Sequence, residues 1–363
     1  MGHLLRGRRG IRAAGPLLEV LNSVKLVDHH AHGILRERPT LDEFRGLFSE
    51  SSDPRQWPHV ATGVTYRRAI RELAELFGCD GTEAAVYEHR QATDPAEYAS
   101  TLLRATGTEL LLVDDGYPPA GEGTSWDELG ELARCEARPV MRIERVAEES
   151  GEAGLERVRA EISGARDNGF VALKTIAAYR GGLDFDALVP STRTDRIEGM
   201  RIKYTLTAAL EANEATGSPL PVQVHAGFGD SDLFLPRVNP GYLKPLIERF
   251  RDTTFVLLHC YPFVREAGWL AHVYGNVYFD LSLTIPHVAR PAEAVREALE
   301  LAPVSKLLYA SDAARTPELY YLAAKWWREG LAEVLPELLS ADDAADAGRR
   351  ILRDNARAVY AIG

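Results

Sequence analysis

The chain has 363 residues, 45% of them hydrophobic and 26% charged, which is the composition of a water-soluble protein with a large apolar core. Its formal net charge of −11, from 42 basic and 53 acidic residues, disfavours nucleic acid and anionic membrane surfaces as main partners. The three cysteines, Cys79, Cys135 and Cys260, form no CxxC pair, so we expect neither disulfides nor a thiolate zinc site and predict a cytoplasmic protein.

The first 15 residues are predicted to form a flexible arm. They contain four arginines, but no apolar segment follows them, so they do not resemble a signal peptide. No stretch of the chain reaches about 18 consecutive apolar residues, which excludes a membrane-spanning helix. A contact between the arm and another subunit is the alternative to flexibility.

Short apolar runs alternate with longer helix-forming segments along the whole chain. Eight of these runs are predicted to be strands: Val24–His29, Glu109–Asp114, Pro139–Ile143, Phe170–Ile176, Leu220–His225, Thr254–His259, Val277–Leu281 and Lys306–Ala310. Most lack clean alternation, which is typical of parallel strands buried on both faces. We therefore predict an α/β fold, a (β/α)8 TIM barrel built as a single domain from residues 16–363. An open doubly wound sheet is the alternative, although no GxGxxG or Walker-type loop follows an early strand.

A long insertion follows the first predicted strand. About eighty residues separate the first predicted strand from the second, far more than one crossover helix needs. Three helices are predicted in this insertion, at about residues 36–106: Tyr66–Phe77, Glu83–Gln91 and Pro95–Ala105. The insertion either caps the carboxyl-terminal face of the barrel or packs between subunits, and we expect a homo-oligomer.

Several apolar runs end in a histidine or an aspartate. The sequence LVDHHAHG places His30 and His32 two positions apart, so both imidazoles can reach one metal ion from the same face of a strand. His225, His259 and Asp312 end or follow later runs. The carboxyl ends of barrel strands converge on one face, so these groups would meet in space. One buried histidine would be explained by packing, but this set predicts a divalent metal site.

Lys174 lies in the apolar run FVALKTIA, where burial of its charge is costly. Its amine could react with CO₂ to form a carbamate that bridges two metals. It could instead remain unmodified and pair with a carboxylate or the substrate. A third interpretation is a lysine whose amine reaches solvent at the barrel mouth.

The order of these residues resembles the amidohydrolase superfamily, which has an HxH pair, a lysine on the fourth strand, two later strand-end histidines and a final aspartate. Three longer stretches are similar to the amidohydrolase-like portion of FluG-type proteins: VQVHAGFGDSDLFLPRVNP, FVLLHCYPFVREAGWLAHVYGNVYFDLS and KLLYASDAARTPELYYLAAKWWREGL. The similarity runs from about residue 20 to the end. In FluG-type proteins this part is often joined to a glutamine-synthetase-like domain. We expect this chain to be the stand-alone form of the amidohydrolase-like part.

The resemblance implies a role for each of these side chains. His30, His32 and Asp312 match the metal ligands nearest the barrel floor, and His225 matches a further ligand. His259 matches a ligand of a second metal in binuclear members, or a catalytic acid/base in mononuclear ones. We favour two metals, with Lys174 as the bridge, and zinc over manganese or iron because the ligands are imidazole and carboxylate.

The ligand set implies that the metal activates water and that Asp312 takes up its proton and passes it to the leaving group. We predict cleavage of an amide C–N bond in a small acidic substrate, and the resemblance suggests a γ-glutamyl amide. A non-oxidative decarboxylase or lactonase on the same site, and a catalytically silent signalling barrel, are the alternatives.

Three further side chains are predicted to bind the substrate. Tyr179 and Arg180 follow the strand of Lys174, and Arg265 follows the sixth strand. A guanidinium group can bind a substrate carboxylate through two parallel hydrogen bonds. Surface ion pairs are the alternative explanation for both arginines.

Overall fold

The computed structural model describes residues 15–114, 116–119, 121–150, 154–184 and 193–362. The predicted amino-terminal arm therefore lies outside the described residues, apart from Gly15.

Eight parallel strands form one sheet in which each strand pairs with the next in the chain. They are β1 (Leu26–Ala31), β2 (Thr108–Asp114), β3 (Glu136–Arg142), β4 (Ala172–Thr175), β5 (Val222–Ala226), β6 (Phe255–His259), β7 (Val277–Asp280) and β8 (Leu307–Leu308). The segment after β8 returns to β1, because the Asp312 N–H donates to the His30 carbonyl at 2.9 Å and the His32 N–H donates to the Ala313 carbonyl at 3.0 Å. All eight predicted strands are confirmed, and so is the barrel.

Helices connect the strands on the outside of the barrel. The insertion between β1 and β2 contains α2 (Leu41–Gly46), α3 (Trp57–Val60), α4 (Val64–Phe77), α5 (Glu83–Ala92) and α6 (Pro95–Ala105), and α1 (Pro16–Ser23) precedes β1. The later helices are α7 (Trp126–Ala133), α8 (Ile143–Glu149), α9 (Gly154–Gly164), α10 (Arg193–Ala215), α11 (Lys244–Arg249), α12 (Val264–Val273), α13 (Thr284–His287), α14 (Pro291–Leu299), α15 (Pro317–Val334), α16 (Ala341–Arg349) and α17 (Asn355–Tyr360). No helix in the described part of the chain has the length and apolarity needed to cross a membrane.

The three helices predicted in the insertion are present as α4, α5 and α6. Helix α6 begins where its sequence predicts, since Pro95 occupies the first turn and the Asp94 carboxylate accepts hydrogen bonds from the backbone N–H groups of Ala96 and Glu97. It packs against α7 and α15. Helix α6 therefore occupies the place of the first crossover helix, and the remaining insertion is added before it.

A buried arginine on α15 joins this helix to two distant segments. Arg328 donates hydrogen bonds to the carbonyls of Leu21, Val24 and Thr106, at 2.8 to 3.1 Å. Leu21 lies in α1, Val24 follows α1, and Thr106 follows α6. One guanidinium group thus satisfies three backbone carbonyls where the amino-terminal helix and the end of the insertion meet.

Candidate metal centre

The six side chains predicted to form the site meet at the carboxyl ends of the strands, although they come from β1, β4, β5, β6 and the segment after β8. Two of the residues have an unusual backbone: His259 has φ 68° and Asp312 has φ 49°, in the left-handed region that non-glycine residues rarely adopt. The His259 N–H donates to the Asp280 carboxylate at 2.7 Å, which helps to hold this conformation. Such backbone strain is concentrated at functional sites in proteins.

Two imidazoles and one carboxylate converge at the centre. The Nε2 atoms of His30 and His32 lie 3.0 and 3.3 Å from the same oxygen, Oδ1 of Asp312. All three side chains are buried, and their potential ligand atoms lie within 4.8 Å of one another. Together they could hold one metal ion.

Hydrogen bonds on the far side of each ring show which nitrogen carries the proton. The Gln223 amide N–H₂ donates to the His29 carbonyl at 2.6 Å, so its Oε1, 2.9 Å from His30 Nδ1, is an acceptor for the Nδ1 proton. The Nδ1 of His32 donates likewise to the Asp114 carbonyl at 2.9 Å. The Nε2 lone pairs of His30 and His32 therefore both face the centre, an orientation that metal-binding histidines require.

The converging atoms fit a cation. Oδ1 of Asp312 has no hydrogen-bond partner within the described residues. The two nitrogens nearest to it, His30 Nε2 and His32 Nε2, carry lone pairs and therefore cannot donate a proton to it. The Nε2 of His225 is also buried without a partner there.

Lys174 lies inside the barrel beside this centre. Its side chain is 1% exposed, and its Nζ lies 3.1 Å from His30 Nε2. The interpretation that its amine reaches solvent is therefore wrong. Burial lowers the pKa of Lys174 to about 8, although Asp312 and Asp114 act in the opposite direction.

His225 and His259 lie together on the other side of Asp312. Their ring centroids are 4.4 Å apart, and His259 Nδ1 lies 2.8 Å from Ser282 Oγ and 3.3 Å from Asp312 Oδ2. The Ser282 hydroxyl donates its only proton to Asp280 at 2.8 Å, so it accepts one from His259 Nδ1. The Nε2 of His259 then carries the lone pair. Burial lowers the pKa of both histidines well below the usual value.

The residues that orient the histidines were not predicted. Gln223 lies two positions before His225 in an apolar strand, so alternation alone could have placed it on the same face. Asp280 is the last residue of β7, and Ser282 lies two positions after it. The carboxyl ends of barrel strands converge on one face, so the sequence could have placed both residues near the site. The backbone carbonyl of Asp114 leaves no signal in the sequence.

A cavity of about 230 Å³ opens above the centre. Its lining comprises His32, Glu50, Tyr117, Arg142, Lys174, Ile176, Tyr179, Arg180, His225, Asp230, Asp232, His259, Leu283, Asp312, Ala314 and Arg315. Tyr179 and Arg180 lie where they were predicted, and Arg180 also contacts Glu148 at 3.3 Å. Glu50 comes from the insertion and was not predicted.

Arg265 does not reach the cavity. Its side chain is 83% exposed on α12 and pairs with Glu297 at 2.8 Å. The prediction that Arg265 binds substrate is therefore wrong, because its position in the helix directs the side chain outward to solvent. The surface ion pair considered as the alternative is what the structure contains.

Similar proteins extend the resemblance seen in the sequence. The sequence model of a family described as Amidohydrolase matches residues 132–362, more than half of the chain. Protein fluG of Emericella nidulans is 27% identical over 405 residues, which cover 95% of this chain and 47% of that protein. The chain thus spans about half the length of this curated relative.

Solved structures agree with the fold. A Lactobacillus casei protein assigned as a metal-dependent hydrolase has a TM-score of 0.83 and 27% identity, covering 95% of this chain and 97% of that chain. A uronate isomerase from Bacillus halodurans has a TM-score of 0.64 and 14% identity over 96% of both chains, and it supports the fold alone. The resemblance predicted from the sequence is confirmed, and this chain belongs to the amidohydrolase family.

Proposed function

We propose that the enzyme hydrolyses the amide C–N bond of a small acidic substrate, with a γ-glutamyl amide as the specific candidate. The observation that carries this proposal is the convergence of His30 Nε2, His32 Nε2 and Asp312 Oδ1 at the floor of a cavity. Arg180 and Arg315 line the same cavity and would attract an acidic substrate. The γ-glutamyl group rests on the resemblance to FluG-type proteins.

His30, His32 and Asp312 would hold one ion, and zinc suits these ligands best. His225 and His259 would hold a second ion, with Lys174 as the bridging ligand after conversion to a carbamate. A bound divalent metal lowers the pKa of water to about 7 and polarises a carbonyl group. If one ion alone binds, His259 becomes the acid/base.

Asp312 would move the proton in this reaction. A carboxylate is ionised at neutral pH and can accept a proton. Oδ2 faces His259 Nδ1 at 3.3 Å, which keeps the carboxylate in one orientation. Asp312 would then pass the proton to the leaving nitrogen. Such transfers typically contribute about 10²–10⁴-fold in rate.

The reaction is tested by incubating the metal-loaded enzyme with γ-glutamyl amides, aromatic carboxylic acids and lactones in parallel. We expect release of amine from the γ-glutamyl amides and loss of this activity in Asp312→Asn. Release of CO₂ or opening of a lactone, with no amine release, would replace the proposed reaction by one of its alternatives. Less than one tightly bound ion per chain would favour the silent barrel.

The number of metals is tested separately by elemental analysis. We expect two ions per chain in the wild type and fewer in Lys174→Met. Bicarbonate should promote loading of the second ion in the wild type alone, since the carbamate forms from CO₂. One ion in both proteins would assign the acid/base role to His259.

A further inference from the structure

Glu50 extends from the insertion into the lining of the cavity. Its carboxylate accepts no hydrogen bond within the described part of the chain. Its Oε1 lies 3.8 Å from Arg315 Nη2 and 4.0 Å from His287 Nε2, beyond hydrogen-bond distance in both cases. Burial raises the pKa of Glu50, because the charged carboxylate loses its contact with water. A cation bound beside the carboxylate would offset this loss.

His287, at the end of α13, presents a second acceptor to the same place. Its Nδ1 donates to the Leu283 carbonyl at 2.8 Å, so in the neutral ring Nε2 carries the lone pair. This Nε2 is buried without a hydrogen-bond partner among the described residues, and the side chain is only 10% exposed. Glu50 and His287 thus direct two acceptors at each other across 4.0 Å. A group with several N–H donors would satisfy both, and an ammonium has three.

Arg315 provides the opposite charge next to them. Its Nη2 donates to the Ser49 carbonyl at 2.9 Å, which anchors the side chain beside Glu50. Nε and Nη1 make no hydrogen bond within the described residues, although the side chain is only 23% exposed. These N–H groups can donate to the oxygens of a substrate carboxylate, which also carries the opposite charge.

We propose that Glu50 and His287 bind the ammonium group, and Arg315 the carboxylate, of an α-amino acid head group. The assignment rests on the proposed function for the reacting bond, which would lie in the side chain of that amino acid and reach the floor of the cavity. It narrows the substrate class to side-chain amides of amino acids whose α-ammonium is free. N-acylated amino acids and amides of simple dicarboxylic acids would bind poorly, since they lack the ammonium.

The head group is tested by calorimetric binding to the metal-loaded wild type, with L-glutamate, N-acetyl-L-glutamate and glutarate as probes. L-glutamate should bind at least about 10-fold more tightly than either of the others, because each lacks the charged donor. Equal binding of L-glutamate and glutarate, or no measurable binding of L-glutamate, would overturn the assignment.

Variants assign the effect to the residues. Glu50→Gln should bring L-glutamate close to the affinity of glutarate while leaving glutarate itself unweakened. Arg315→Gln should weaken both ligands, because both have a carboxylate. Glu88→Gln, an exposed position on α5 in the same insertion, is the matched control and should match the wild type. An unchanged order of the three probes in Glu50→Gln shows that the ammonium binds elsewhere.

Binding and turnover separate this assignment from the proposed function. If L-glutamate is preferred in the predicted way but no γ-glutamyl amide is cleaved, the reaction is wrong and the head-group site stands. If γ-glutamyl amides are cleaved equally well with and without a free α-ammonium, the reaction stands and the head-group site is wrong.

Discussion

Gln223 illustrates how one side chain sets the state of another at the centre. Its amide donates to the His29 carbonyl and to Tyr360 Oη, so only its carbonyl oxygen is left to face His30 Nδ1. This arrangement holds the proton of His30 on the nitrogen away from Asp312. The tautomer that a metal requires is thus fixed by a neighbour, not by His30 itself.

Gln223→Leu should therefore weaken metal binding by about 10–100-fold, the range seen when such supporting hydrogen bonds are removed. Competition with a chelator of known affinity measures the change. Gln56→Leu, at an exposed position before α3, is the control and should bind metal as the wild type does. Equal affinities in all three proteins would show that Gln223 does not determine the His30 tautomer.

Lys174 should make the stability of the metal-free protein depend on pH. Its folded pKa, about 8, lies below the usual lysine value of 10.5, so between these values the unfolded chain binds more protons than the native one. Stability from this residue therefore rises with pH in that window. From pH 8 to 9.5 we expect a gain of about 1.5 kcal/mol relative to Lys174→Met. Urea unfolding of both chelator-treated proteins measures it, and parallel pH curves would contradict it.

Two parts of the insertion have different structural roles. Helix α6 serves as the first crossover helix of the barrel, while the segment after α2 brings Glu50 to the cavity. Glu50 supports the prediction that part of the insertion lies over the site, while packing of the insertion between subunits stays a prediction. Arg328 on α15 donates hydrogen bonds to α1 and to the end of the insertion. We therefore expect α1, α6 and α15 to unfold together.

Arg328→Met should lower the free energy of unfolding by about 3 kcal/mol, because three carbonyls that are buried or partly buried each lose a hydrogen bond. Chemical denaturation provides the measurement. Arg71→Met removes an arginine that is 62% exposed and should change stability by less than about 0.5 kcal/mol. A similarly small effect at Arg328 would mean that water replaces its hydrogen bonds.

At the scale of the whole molecule, the barrel is closed by backbone hydrogen bonds between β1 and the segment after β8. The candidate metal ligands come from both of these segments and from the strands between them. A metal bound there would therefore join distant parts of the chain. We propose that residues 16–363 unfold as one domain.

Calorimetry should show a single unfolding transition that moves to higher temperature when zinc is added. A ligand at 100 times its dissociation constant stabilises the native state by about 2.7 kcal/mol. His30→Ala should lose this zinc-dependent shift while keeping one transition. Two separate transitions in the wild type would contradict the single domain.

The sequence by itself determined the eight strands and the polar residues at their ends, because alternation, apolar runs and turn residues act over short distances. Barrel topology then predicted that His30, His32, Lys174, His225, His259 and Asp312 would meet, and they do. The Arg265 side chain was predicted to face the cavity and instead faces solvent. The face that a helix turns toward the barrel depends on tertiary packing, which its local sequence did not reveal.

Only the tertiary structure decided which groups complete the site. Glu50 and His287 come within 4.0 Å of each other from segments more than 200 residues apart, and neither lies in a pattern that marks a ligand. The proton positions on His30 and His259 depend on Gln223 and Ser282, which lie on other strands or loops. Contacts between distant segments form only when the whole barrel packs, so no local pattern in the sequence could encode them.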